Sequence, residues 1–316
     1  MPYMEAPVVL IGPEQDEHIL TVQAGLREAG REPLILDPNR FPRSLAISMG
    51  NDSSDIRVDG YDLGRPAAVY LRSLQQTPIA YGSDSQAEMG NDWRQTLTSY
   101  NERNTMLTAM VMRWEELGVP LYNPFTAQRN ITKPLQLALL AGAGLPVPRT
   151  LWSNKPEDVI AFAHSGPTIY KPVSGGAQTR ELTAHDLTPE RLAQLATAPV
   201  TFQELLSGDD IRVFILDGKV IARYRIITDA LDFRHNEIAL ENIQLPATIE
   251  SQCLQACKLL GLRFTGMDLK YDANGQAKIL ELNSSPMFLG FDAMAGTDIR
   301  AALVEALLLH QGGSAS

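Results

Sequence analysis

Two apolar runs, Phe264–Tyr271 and Ala277–Asn283, flank the turn residues Asp272, Ala273, Asn274 and Gly275. Such a pair around a short Gly-containing loop predicts a β-hairpin. No other segment constrains the fold so tightly, because strand alternation dictates which side chains share a face. On the first run Phe264, Gly266, Asp268 and Lys270 fall on one face. On the second, Ile279, Glu281 and Asn283 share a face, and Leu280 and Leu282 share the other. Pairing Tyr271 with Gln276 sets Asp268 opposite Ile279 and gathers Asp268, Glu281 and Asn283 on one side of one sheet. Two carboxylates and an amide oxygen are hard ligands of the kind Mg²⁺ takes; the alternative is a solvated polar face. Both runs are largely apolar, and the second leads into Ser284-Ser285-Pro286, a constrained turn, which favours the metal reading.

The rest of the chain is read around this hairpin. The first third alternates strand and helix signals. Val8–Ile11, Leu34–Leu36 and 67–71 are buried-type strands, and 16–29 is a helix with Ile19, Val22 and Leu26 at helical spacing. That order predicts a small α/β domain with a parallel sheet. Segments 39–64 and 75–91 read as loop, the second as a mobile one. A long helix over 93–117 and a second over 133–143, with Pro134 in its first turn, come next. The run from Gly142 to Pro148 holds two Gly and two Pro and is the best candidate boundary. Beyond it lie a helix at 156–163, a strand at 168–171, a helix at 189–196, a strand at 200–205 and a hairpin turning at Asp217-Gly218. Helices at 248–260 and 298–310 flank the Asp268 hairpin, and the tail after Gly312 is frayed.

With 316 residues the chain has room for two domains, or three small ones. Its 27 Lys+Arg against 37 Asp+Glu give a net charge of −10, which argues against nucleic-acid binding but leaves room for a phosphorylated ligand in a basic pocket. Two cysteines, Cys253 and Cys257, are too few for a disulfide framework and fall at helical core spacing with Ile249 and Leu260. With no apolar run long enough for a membrane span and no signal peptide, the expectation is a cytoplasmic protein without a membrane partner.

Several groups could bind a nucleotide. Lys171 ends an apolar strand and precedes Pro172, Gly175 and Gly176, so it could reach a phosphate. Lys133 sits in a helix's first turn. Arg212, Arg223, Arg225 and Arg234 crowd one hairpin, which fits either an anion site or solvent-facing arginines. No Walker A pattern, no dinucleotide fingerprint after a strand and no Gly-x-Ser-x-Gly elbow occurs, and the five histidines lack metal-ligand spacing.

Lys133, Lys171, Gln203-Glu204-Leu205, Gly208-Asp209-Asp210-Ile211-Arg212, Asp232-Phe233-Arg234-His235-Asn236, Gly266-Met267-Asp268-Leu269 and Glu281-Leu282-Asn283-Ser284-Ser285-Pro286 stand in an order that resembles the ATP-grasp superfamily, its RimK-type ligases in particular. Residues 68–72 and 121–124 resemble, more faintly, the graspetide ligases that macrocyclise ribosomal peptides. The resemblance implies an α/β (α+β) ATP-grasp fold, with a small α/β domain over 1–125 and two subdomains, 126–200 and 201–316, sandwiching ATP. It implies that Lys133 and Lys171 contact phosphates, that Gln203, Glu204 and Leu205 hold adenine, and that Asp210 binds ribose. It assigns Arg225 to the nucleotide, and Arg234 and Asn236, with His235, to the phosphates and acceptor. Asp268, Glu281 and Asn283 would hold Mg²⁺, with Mn²⁺ the alternative, and Arg212, Ser284 and Ser285 the carboxylate substrate.

The implied chemistry is ATP-dependent ligation. A carboxylate attacks the γ-phosphate to give an acylphosphate, and an amine or hydroxyl then displaces phosphate. Catalysis rests on positioning and charge neutralisation, so no covalent nucleophile is needed. The implied partners are ATP and carboxylate and amine substrates, as amino acid, peptide or protein; oligomeric state is left open, a homo-oligomer included. Peptide macrocyclisation and a non-catalytic ATP-binding regulator are the alternatives. The chain departs from the RimK pattern at Glu237-Ile238-Ala239, where a Gly pair is usual, and in a short Gly-rich segment after Lys171.

Overall fold

The computed structural model describes residues 6–52, 55–75, 92–130, 132–174, 178–228 and 239–309. The N-terminal third runs β1 (Val8–Ile11), α1 (Glu17–Glu28), β2 (Leu34–Leu36), β3 (Ile47–Met49), β4 (Ile56–Val58), β5 (Tyr61–Asp62), β6 (Ala68–Leu71), α2 (Trp93–Glu116) and β7 (Leu121–Tyr122). A parallel sheet orders them β2-β1-β6-β7. Strands β1 and β6 are buried at every position, as helix-covered parallel strands must be. Alternation splits them between two cores. Val8, Leu10, Ala68 and Tyr70 meet Ile19, Val22 and Leu26 of α1, while Val9, Ile11, Val69 and Leu71 meet Leu107, Met110, Val111 and Trp114 of α2.

One segment read as loop, 39–64, contains an antiparallel sheet ordered β3-β4-β5. Its strands are two or three residues long and only β4 buries its apolar pair, Ile56 and Val58, so periodicity had too few residues to register. Most of the other segment read as loop, 75–91, lies outside the described residues.

A middle unit follows: α3 (Phe125–Asn130), α4 (Lys133–Gly142), β8 (Thr150–Ser153), α5 (Pro156–Ala163), β9 (Thr168–Pro172), β10 (Arg180–Glu181), α6 (Pro189–Leu192) and β11 (Val200–Glu204). Its antiparallel sheet, β10-β9-β11-β8, has a small core of Val159, Leu192, Leu195 and Phe202. The helix expected over 189–196 is α6 followed by a 3₁₀ turn. Helix α4 packs elsewhere: Leu137 and Leu140 join the core beneath the last sheet.

The C-terminal elements are β12 (Asp210–Leu216), β13 (Lys219–Ile227), β14 (Ala239–Asn242), α7 (Ala247–Leu259), β15 (Phe264–Tyr271), β16 (Ala277–Asn283), α8 (Leu289–Ala295) and α9 (Ile299–Leu308). They form an antiparallel sheet, β14-β13-β12-β15-β16. Strand β12 is buried throughout, sending Val213 and Ile215 to the core under α4 and α7, and Phe214 and Leu216 to the core shared with β1, β6 and α1. One hydrophobic core therefore joins the first and last sheets. Cys253 and Cys257 are buried on α7, and burial pushes both thiols up to about 12, which makes them packing groups. No described helix is long and apolar enough to cross a membrane.

His18, in the first turn of α1, is a titratable group in this shared core. It is 5% exposed, and its Nε2 accepts from the backbone N–H of Phe288 (3.1 Å). Burial first, then the Arg72 charge, lowers its pKa from 6.5 to about 4, with Asp16 opposing. The unfolded chain takes up this proton near pH 6.5 and the folded chain only near 4, so stability falls as pH drops through that window. Melting temperature across this range should fall less steeply for His18→Gln, whose amide oxygen keeps the acceptor without titrating. Parallel curves would exclude His18 as the source.

Candidate active site

The hairpin carries the site, with a corrected register. Tyr271 pairs with Ala277, and Asp268 stands opposite Glu281, not Ile279. Two one-residue steps make the difference: the turn is one residue longer than that pairing allows, and a bulge at Leu280 adds a second and reverses the alternation, so Ile279 and Leu282 are both on the buried face. Asp268, Glu281 and Asn283 still share a face. The longer turn and the bulge together bring the two carboxylates into direct opposition, closer in register than simple alternation places them.

Each carboxylate has a cationic partner from another element. Lys133 Nζ, at the start of α4, lies 2.7 Å from Glu281 Oε2. Arg212 Nη1, opposite Asp268 across β12 and β15, lies 2.6 Å from Asp268 Oδ1. In the amide orientation that satisfies both its atoms, Asn283 donates to Glu281 Oε1 (2.8 Å) and accepts from Arg212 Nη1 (3.2 Å). Arg212 is 6% exposed, its guanidinium lies over the rings of Phe214 and Phe291, and its Nε is buried without a hydrogen-bond partner among the described residues. An orphaned buried donor costs roughly 1–3 kcal/mol.

A cleft of about 510 Å³ opens beside this cluster, lined by Lys133, Gln136, Ser174, Glu281, Asn283 and Ser284 among others. It lies between the end of β9, the start of α4 and the end of β16. Gln136 escaped the sequence reading. Its side chain pairs with β16 like a strand, donating to Leu282 O (3.0 Å) and accepting from Leu282 N (2.8 Å). The residue between Glu281 and Asn283 is thereby pinned. The available signal was a polar residue on the buried side of an apolar helix. Gln136→Leu orphans both Leu282 groups and should cost about 2 kcal/mol in urea unfolding.

The other expected residues divide into groups. Lys171, Gln203, Glu204 and Thr150 belong to the middle sheet: Lys171 Nζ donates to Gln203 Oε1 (3.2 Å), Gln203 Nε2 to Thr150 Oγ1 (2.9 Å), and Arg149 N to Glu204 Oε1 (3.0 Å). Leu205 follows, its N–H bonded to Pro167 O. Asp210 is buried and paired with Lys270 (2.5 Å), a contact that competes with any ribose for that carboxylate. Arg225 lies level with Ile211, on the face of the sheet opposite Arg212, with Glu241 (Nε, 2.9 Å) and Asp209 (3.3 Å), and Arg223 on the same face pairs with Glu250. Those two arginines share a face as alternation requires, but carboxylates of this chain surround them. Ser285 turns from the cleft toward Arg72. Arg234, His235, Asn236, Gly175 and Gly176 lie outside the described residues.

Residues 130–307 match the RimK-like ATP-grasp domain. The chain belongs to the RimK-like ATP-grasp family. It is an ATP-grasp ligase, the enzyme class that the ordered motifs implied. The ATP-grasp ligase PsnB, solved with a phosphomimetic variant of its minimal precursor, Mg and ADP, is 49% identical; the alignment covers 98% of this chain and 99% of that one, with a TM-score of 0.92. Macrocyclase MdnC of Microcystis aeruginosa, bound to precursor peptide MdnA, shares the fold at 24% identity, covering 95% of this chain and 99% of that one, with a TM-score of 0.80. A probable alpha-L-glutamate ligase of Methanococcoides burtonii is 29% identical over 64% of this chain and 71% of its own length. The chain spans 46% of the homologous protein of Shewanella pealeana, at 26% identity.

Proposed function

We propose that this ATP-grasp ligase acts on a precursor peptide, activating a side-chain carboxylate with ATP and joining it to an amine or hydroxyl of the same peptide. The observation that carries this reading is the 49% identity, across nearly the whole chain, to a ligase solved with its precursor. The glutamate ligases match less of the chain at lower identity, so addition of a free amino acid is the second reading. An intact Asp268, Glu281 and Asn283 set weighs against a regulator that only binds ATP.

Mg²⁺ fits the donor set on β15 and β16: two opposed carboxylates and an adjacent amide oxygen, all hard ligands on a stiff sheet. Asp268, Glu281 and Asn283 would hold it; Mn²⁺ takes the same ligands. Bound there, the ion would neutralise phosphate charge. Lys133 and Lys171 supply positive charge from the α4 and β9 sides of the cleft. Gln203, Glu204 and Leu205 form the adenine side, and Asp210 its nucleotide flank once its ion pair opens, while Arg225 lies on the opposite face of the sheet. Arg212, fixed on β12, presents a guanidinium for the carboxylate beside Ser284, with Ser285 turned away to Arg72, and Arg234 and Asn236 complete the acceptor side. The carboxylate oxygen bonds to the γ-phosphorus as ADP leaves, and the acceptor then bonds to the carbonyl carbon as phosphate leaves.

The test is ADP release with Mg·ATP against acidic peptides carrying Ser, Thr or Lys, and against free amino acids, with products weighed by mass spectrometry. Peptide-stimulated ADP release with loss of one water from a single peptide is the expected result. Stimulation by glutamate alone, with a joined product, would establish the second reading instead.

A further inference from the structure

The corner that follows β16 is held by side chains from the N-terminal third. Asn123, fully buried after β7, donates to Phe264 O and Ser284 O (2.5 Å each) and accepts from the N–H groups of Arg263 (2.6 Å) and Phe264 (2.7 Å). Arg72, just beyond β6, donates through Nη1 to Ser285 O (2.7 Å) and Ser285 Oγ (2.8 Å), and Ser285 Oγ donates back to Arg72 O (2.9 Å). Arg72 Nε is fixed in turn by Asp16 Oδ2 (3.2 Å), the N-cap of α1. His18 accepts from Phe288 N. Positions 284, 285 and 288 therefore each have an anchor on a different N-terminal element.

We propose that Arg72 is a positioning residue of the ligase, setting the Ser284–Phe288 corner and, through it, Asn283 and Ser284 at the cleft. This rests on the reading of the Asp268–Glu281–Asn283 face as the reaction centre. A single planar guanidinium serves Asp16, a backbone carbonyl and a hydroxyl at once, a geometry that lysine cannot reproduce. Reacting groups must be held to within about 0.5 Å, and a 1 Å error costs about 100-fold. Anchoring the corner to the parallel sheet, and not only to the strand it ends, supplies that rigidity.

Arg72→Ala and Arg72→Lys should both lower kcat by about 10- to 100-fold while KM for ATP stays within about twofold, since Arg72 bonds to Asp16 and Ser285 and to none of the residues assigned to the nucleotide. Ser285→Ala should lower kcat in the same way, and the double variant should be no worse than the poorer single one. Hydrogen exchange gives an independent reading: the Phe288 amide should exchange faster in Arg72→Ala, with α7 unchanged. A folded Arg72→Ala that turns over as the wild type does, or effects that add in the double variant, would overturn the proposal. If the wild type releases no ADP with any peptide, the functional reading fails instead. Exchange then decides the clamp alone, and unchanged protection at Phe288 sinks it.

Discussion

Glu281→Ala should lower substrate-stimulated ADP release by at least about 10³-fold, the several kcal/mol that charge neutralisation at a phosphoryl group supplies. The fold should survive. The Glu281 carboxylate is partly exposed and its pair with Lys133 is a single contact, worth at most about 1 kcal/mol at such a site. The backbone of β16 is held independently, by its ladder to β15 and by Gln136 at Leu282. Melting temperature should therefore move by only a few degrees. Glu281→Gln separates the two roles of this side chain. It keeps a hydrogen-bond acceptor for Lys133 but removes the charge, and should be nearly as inactive as the alanine variant. A Glu281→Gln enzyme at wild-type rate would reassign Glu281 to the ion pair and dismantle the metal assignment.

The route from sequence to site was legible where side-chain alternation and ordered motifs agreed. Strand period alone put Asp268, Glu281 and Asn283 on one face, and did so even with the wrong register. That robustness has a cause: the turn is longer by one residue and the bulge at Leu280 adds another, so two one-residue shifts, each of which alone would flip the face, together restore it. Bulges leave no compositional mark in an apolar strand, and this one could not be read in advance. Burial of Cys253 and Cys257 followed from helical spacing, because all the information is local. What stayed hidden was long-range. Gln136 and Leu282 are 146 positions apart, and Arg72 and Ser285 are 213 apart. Nothing near Arg72 in the chain marks it as a partner of the β16 corner. The arginine-rich hairpin stayed ambiguous for a related reason, since composition counts arginines but not the Glu241, Glu250 and Asp209 side chains that meet them.

Gly266→Ala, a single added methyl group, should reduce turnover by about 100-fold or more. Gly266 pairs with Asn283 on one side and Phe214 on the other, and the Arg212 guanidinium lies flat across it. A Cβ built there would stand 2.6 Å from Arg212 Cζ and 2.7 Å from Nε, inside van der Waals contact. Arg212 has little room to yield. Phe214 and Phe291 lie 5.1 and 5.6 Å from its Cζ, and Asp268 holds Nη1. The guanidinium must then tilt and release Asp268 or Asn283, so the methyl group disturbs the proposed carboxylate subsite and the proposed metal face together. Overpacking of this kind costs roughly 1–3 kcal/mol, which a stable domain survives. Gly142→Ala is the matched control, because a Cβ there meets nothing within 4 Å. If Gly266→Ala is folded and as active as the Gly142→Ala control, the guanidinium has another place to go and Arg212 does not need its observed seat. If Gly266→Ala is inactive, and Arg212→Lys loses activity to a similar extent, the seat and the side chain act as one unit, and the strict need for glycine at 266 is explained by what lies across it.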